Sequence, residues 1–206
     1  MEVVQRTNVL LNKTWSLDSI VRWFSYLGKI LAVVHQRQGN VAMAKKIGTL
    51  TNCLGEYRTI TRFTGVPDTI EALGAHLQTS PNRPDYFVEL CQHISMLFYY
   101  PLEHIAWLRD LNVLSGPTDR LWRGSSQAWA VWVLLEIGLV WKKYRNPKAT
   151  PAEKASLRLY LFKCITDFIL AWHWSVKKSP FSEMTIGWVG LLGTTASLYP
   201  KWASTK

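Results

Sequence analysis

From Gly124 to Trp141 the chain reads GSSQAWAVWVLLEIGLVW, eighteen residues with a single charge, Glu136. A helix of that length reaches about 27 Å, close to the roughly 30 Å of bilayer hydrocarbon. Arg120 and Arg123 precede the stretch, and Lys142, Lys143 and Arg145 follow it. Trp122, Trp141 and Tyr144 stand near its ends, where amphipathic rings favour the headgroup zone. The pattern predicts a membrane-spanning helix, although basic residues on both sides leave its orientation open.

Toward the C-terminus, Asn146 to Lys154 is a polar link in which Thr150-Pro151-Ala152-Glu153 has the form of an N-cap, a first-turn proline and a capping-box glutamate. The next helix is expected over 151–178. Lys163 and Asp167 lie four apart on one of its faces and can neutralise each other. Such an ion pair fits either the interior of a helix bundle in the membrane or an amphipathic helix in the interface. Ile186 to Tyr199 is uncharged, and a helix over 182–202 would be about 30 Å long. Gly187, Gly190 and Gly193, with Thr194 and Ser197 one turn on, form a small-residue face suited to close helix packing or self-association.

Toward the N-terminus the apolar residues fall at helical spacing. Leu17, Ile20, Val21, Phe24, Leu27, Leu31 and Val34 mark a helix over 14–38 that ends at Gly39. A second is expected over 41–64, stopped by Gly65 and Pro67. A short one over 68–78 would be capped by Asp68 and Glu71, and a fourth over 85–108 by Asp85, with a kink at Pro101. His93, Glu103 and His104 within the fourth argue for burial or an interfacial position. The expected fold is all-α: a helical integral membrane protein with an amphipathic N-terminal region, 1–115, and a membrane-anchoring region, 116–206, carrying helices over 124–146, 151–178 and 182–202.

Composition agrees with contact to an anionic surface. Among 206 residues, 48% are apolar and 11 are Trp, yet 24 Lys and Arg outnumber 14 Asp and Glu, for a formal charge of +10. Anionic membranes and nucleic acids both concentrate such cations. Here the cations are scattered around apolar helices and not gathered on one recognition helix, so nucleic acid is not the expected partner. Cys53, Cys91 and Cys164 are odd in number and widely spaced, and the five histidines show no metal-ligand spacing. No phosphate loop, dinucleotide fingerprint or nucleophile elbow is present, and neither an enzyme nor a cofactor is expected. Residues 1–12 hold no long apolar core or cleavage site, so no secretory signal is expected.

The run Ile186-Gly187-Trp188-Val189-Gly190-Leu191-Leu192-Gly193, followed by Ser197-Leu198-Tyr199-Pro200-Lys201-Trp202, resembles the end of the peroxisomal membrane protein eleven family, the peroxisome-proliferation peroxins. The segment order agrees: a helix at Ile20 to Val34, then Ile47 to Ala72 with Arg58, Arg62, Phe63 and Gly65, then the apolar text of Leu102 to Trp107. The chain departs from longer members in having only the brief link of 146–154. The resemblance implies a protein integral to the peroxisomal membrane that promotes elongation and fission, inserts an amphipathic helix, forms homo-oligomers and helps recruit fission machinery. Carried over by position, the membrane-active helix lies within Val41 to Thr64, where Leu50, Leu54, Tyr57, Ile60 and Phe63 would insert and Lys45, Lys46, Arg58 and Arg62 would dock on anionic phospholipids. Two alternatives stand beside it: a pore for small metabolites lined by Glu136, Lys163 and Asp167, and an adaptor that recruits fission machinery without touching lipid.

Overall fold

A computed structural model describes residues 14–203, and the expectation about residues 1–12 falls outside them. Among the described residues the chain is helical throughout: α1 (Thr14–Arg37), α2 (Val41–Thr61), a 3-10 turn (Arg62–Thr64), α3 (Gly65–Leu77), α4 (Tyr86–Asp110), α5 (Asp119–Tyr144), α6 (Pro151–Ser175) and α7 (Glu183–Ala203). The all-α expectation therefore holds.

Local chemistry explains most of the boundaries. Gly39 ends α1 in the left-handed region at φ 79°, and the N–H of Asn40 reaches back to the carbonyl of His35 at 2.9 Å, satisfying a carbonyl the helix end would leave bare. Thr150 and Glu153 form the expected capping box: the Thr150 hydroxyl accepts from the Glu153 N–H at 3.2 Å, and the Glu153 carboxylate accepts from the Thr150 N–H at 2.7 Å.

Two expected boundaries differ. Gly65 and Pro67 do not stop a helix; they open α3, because a proline in the first turn lacks only an N–H that would be unpaired anyway. Asp68 thus lies inside the first turn instead of capping it. Asp85 precedes α4 without a side-chain cap and gives its carboxylate to Lys142 instead, at 2.6 Å. Pro101 sits within α4, which continues through it to Asp110.

The expected spans require a larger correction. No helix among the described residues is long and apolar enough to cross a membrane. The reason lies in composition: α5 and α7 have the length, but Ser125, Ser126, Gln127 and Glu136 in α5, and the glycines and threonines of α7, dilute the aliphatic content on which a span depends.

The chain forms two compact units, residues 14–61 with 181–203, and residues 62–180. They follow packing, whereas the division at 115/116 follows hydropathy, and the two cut the chain differently. In the first unit α1 lies between α2 and α7, which do not pack on each other. In the second, α3, α4, α5 and α6 each pack only on their neighbours in sequence. Within each unit, therefore, every inner helix packs on its two neighbours and on no other helix of that unit.

Candidate functional site

The seams within these units mix small and polar residues with large apolar ones such as Tyr26, Ile30, Val133, Leu170 and Ile186. On α2 the buried side chains are Ala44, Thr51 and Thr59, and on α7 they include Gly187, Gly190, Gly193 and Thr194. A Cβ added at Gly187 would come within 2.7 Å of Ile30, and one at Gly190 would collide with the Tyr26 ring. The glycine face therefore forms the α7–α1 seam inside one chain, with Ser197 half-buried. Of the two uses expected of that face, close helix packing and self-association, the first is made here within the chain. Lys29 with Glu183 at 3.3 Å, and Trp23 donating to Thr195 at 3.0 Å, complete that seam.

In the second unit the buried face of α4 carries Gln92, Ser95, Tyr99, Glu103 and His104. Tyr99 donates to Glu103 at 2.9 Å, and Arg62 pairs with Glu103 and donates to the Tyr99 hydroxyl at 2.8 Å. Burial pushes the Tyr99 hydroxyl well above its ordinary range, which keeps it a donor. Glu136 of α5 joins three helices, accepting from Gln92 of α4 at 2.8 Å and from Tyr160 of α6 at 3.0 Å. Lys163 lies 3.0 Å from Asp167, itself almost fully buried. The residues of the pore alternative thus sit in internal polar contacts, each with a partner.

The outer surfaces are the reverse. On α2, Met43, Leu50 and Tyr57 repeat every seven residues, with Ile60 and Cys53 beside them, all exposed. On α4, Phe87, Ile94, Phe98 and Ile105 form an uncharged exposed stripe that also carries Cys91. Among the described residues 28 large apolar side chains are exposed, enough to form extended apolar patches on the outer surfaces. On α2 the small and polar residues Ala44, Thr51 and Thr59 face inward and large apolar ones outward, a division also met where helices pack in lipid.

The membrane-contact set expected on 45–63 divides accordingly. Lys45, Lys46, Leu50, Tyr57 and Ile60 are exposed on α2, and Leu54 is half-buried. Arg58 does not join them: its guanidinium grips Asp18 of α1 at 3.0 and 3.5 Å with both side chains largely buried. Phe63 belongs to the second unit, exposed and edge-on to His104 at 5.3 Å between ring centres, and Arg62 is taken by Glu103. In the sequence the outer stripe of α4 is obscured by the polar residues His93, Glu103 and His104 of the same segment. Its spacing of seven, four and seven, Phe87 to Ile105, was the available signal. Among the described residues no cluster of His, Cys, Asp or Glu could hold a metal.

Polar groups in the seams, large apolar side chains on the outer faces and excess positive charge define, among the described residues, an all-helical class of protein. The sequence fits the model of the family "Peroxisomal biogenesis factor 11 (PEX11)" over residues 4–146, and the chain belongs to that family. It is 26% identical over 140 residues to the human protein named peroxisomal membrane protein 11C, covering 58% of each chain. It is also 26% identical over 136 residues to the mouse protein of that name, covering 54% of this chain and 55% of the other. The match thus spans somewhat more than half the length of those relatives. No solved structure matches. The glycine-rich run at 186–193 falls outside the residues the family model matches.

Proposed function

We propose that this protein remodels the peroxisomal membrane, promoting its elongation and fission by seating the outer face of α2 in the cytosol-facing or lumenal leaflet. The observation that carries the reading is the inverted distribution of side chains, with Met43, Leu50, Tyr57 and Ile60 outside and Ala44, Thr51 and Thr59 within. An apolar helix face that enters one leaflet enlarges that leaflet alone, and the resulting area difference bends the bilayer. Lys45 and Lys46 stand exposed on the same helix, and each cation held at an anionic surface contributes about 1 kcal/mol. Membership of the PEX11 family supports the organelle, and the relatives' designation as peroxisomal membrane proteins supports the location. Self-association would use the outer faces, because the glycine face is engaged within the chain.

The test is binding and tubulation of anionic vesicles by the full chain. Leu50→Glu with Tyr57→Glu is expected to lower binding at least about tenfold and to abolish tubulation, since two carboxylates would have to enter the apolar interface. The helical content should not change, because neither side chain is in a seam. Tubulation equal to that of the parent would remove α2 from the mechanism.

A further inference from the structure

The link between α5 and α6 has a composition the α2 mechanism does not use. Residues 142–158, KKYRNPKATPAEKASLR, hold six cations and one carboxylate, and most of them lie beyond the matched segment of 4–146. The two nearby acids are already engaged. Asp85 pairs with Lys142 at 2.6 Å. The Glu153 carboxylate is tied to the N–H and hydroxyl of Thr150, contacts that hold it below the usual carboxylate range. Lys143, Arg145 and Lys148 are exposed and make no side-chain hydrogen bond or ion pair among the described residues. Beside them Trp141, half exposed, stacks on Tyr144 with 5.7 Å between ring centres, and Arg158 lies over the Tyr144 ring at 6.0 Å.

We infer that this α5–α6 end is a second contact with an anionic bilayer, an electrostatic dock separate from the inserting face of α2. The occupant follows from charge complementarity: six cations against the two acids leave four net positive charges along 142–158, a spread suited to many headgroups at once. The aromatic pair at its base has the amphipathic character that favours headgroup depth, which an extended acidic peptide would not need. The inference rests on the membrane reading above but on different residues and a different force. The α2 face works by apolar insertion, whereas this end works by charge and therefore weakens as salt screens it.

The experiment is flotation of the full chain with vesicles of phosphatidylcholine alone and of phosphatidylcholine with phosphatidylserine, at low and high salt. Lys143→Ala, Arg145→Ala and Lys148→Ala together are expected to lower partitioning onto the phosphatidylserine vesicles at least about tenfold at low salt, since each cation contributes roughly fivefold. Binding to phosphatidylcholine alone, and helical content by circular dichroism, should stay at the parent's level. Equal low-salt partitioning of parent and triple variant onto phosphatidylserine vesicles overturns the inference while leaving the α2 reading intact. If the triple variant keeps vesicle binding and instead loses binding to a poly-glutamate peptide, the occupant is an acidic protein segment and the inference is likewise overturned. A parent that ignores anionic vesicles altogether defeats both readings. A Leu50→Glu/Tyr57→Glu variant that stops tubulating yet still shows salt-sensitive binding, lost on adding the triple substitution, supports the inference.

Discussion

Replacing Glu103 with alanine is expected to destabilise the second unit by about 3–5 kcal/mol, because it removes the carboxylate that neutralises a largely buried guanidinium. The side chain of Arg62 is 16% exposed and that of Glu103 6%, so water cannot replace the lost partner. Tyr99 loses its acceptor in the same substitution, so its buried hydroxyl still accepts from Arg62 but has nothing left to donate to. A paired change, Arg62→Met with Glu103→Leu, removes both charges and is expected to recover most of the loss, since the desolvation cost of the pair disappears with it. Urea unfolding of the single and double variants separates the two results. A single variant as stable as the parent would mean that the pair does not hold the 3-10 turn against α4.

Gly190→Leu is expected to be nearly as damaging in the first unit. A side chain there runs into the Tyr26 ring, which is itself only 3% exposed and has no room to retreat. Overpacking of a seam costs about 1–3 kcal/mol for modest additions, and four extra carbons against an aromatic ring should reach or pass the top of that range. Gly48→Ala provides the control with the opposite sign. An added Cβ at Gly48 meets nothing within 4 Å, so alanine should stabilise α2 by about 0.5–1 kcal/mol through its better helix propensity. Thermal unfolding that moves Gly190→Leu down and Gly48→Ala up checks the α7–α1 seam. Equal and small shifts in both would contradict it.

Much of the helical framework was legible in the sequence because periodicity and punctuation are local. Gly39 and the Thr150–Glu153 box mark their boundaries in four residues or fewer. What each cation does was not legible, because it depends on a partner far along the chain. Arg58 counts as a lipid-docking residue until Asp18, forty residues away, is seen to hold it. Arg62 is withdrawn in the same way by Glu103. The glycines of α7 pointed correctly to a close helix contact, but a spacing pattern does not say whether the neighbour is α1 of the same chain or another copy. The candidate spans fail for a different reason: length and low charge alone do not make a span, and the serines, Gln127 and Glu136 of α5 with the glycines and threonines of α7 lower the apolar content.

The central claim is that the apolar outer faces meet lipid, and two native thiols report on it directly. Cys53 and Cys91 are exposed on the outer faces of α2 and α4, and Cys164 is buried. Burial also pushes the Cys164 thiol up to about 11, so at neutral pH it should resist labelling. An environment-sensitive fluorophore attached at Cys53 or Cys91 should shift its emission to the blue when anionic vesicles are added and be quenched by lipids spin-labelled along their acyl chains. Emission that stays at its aqueous wavelength, with no quenching by those lipids at either position, would contradict the account.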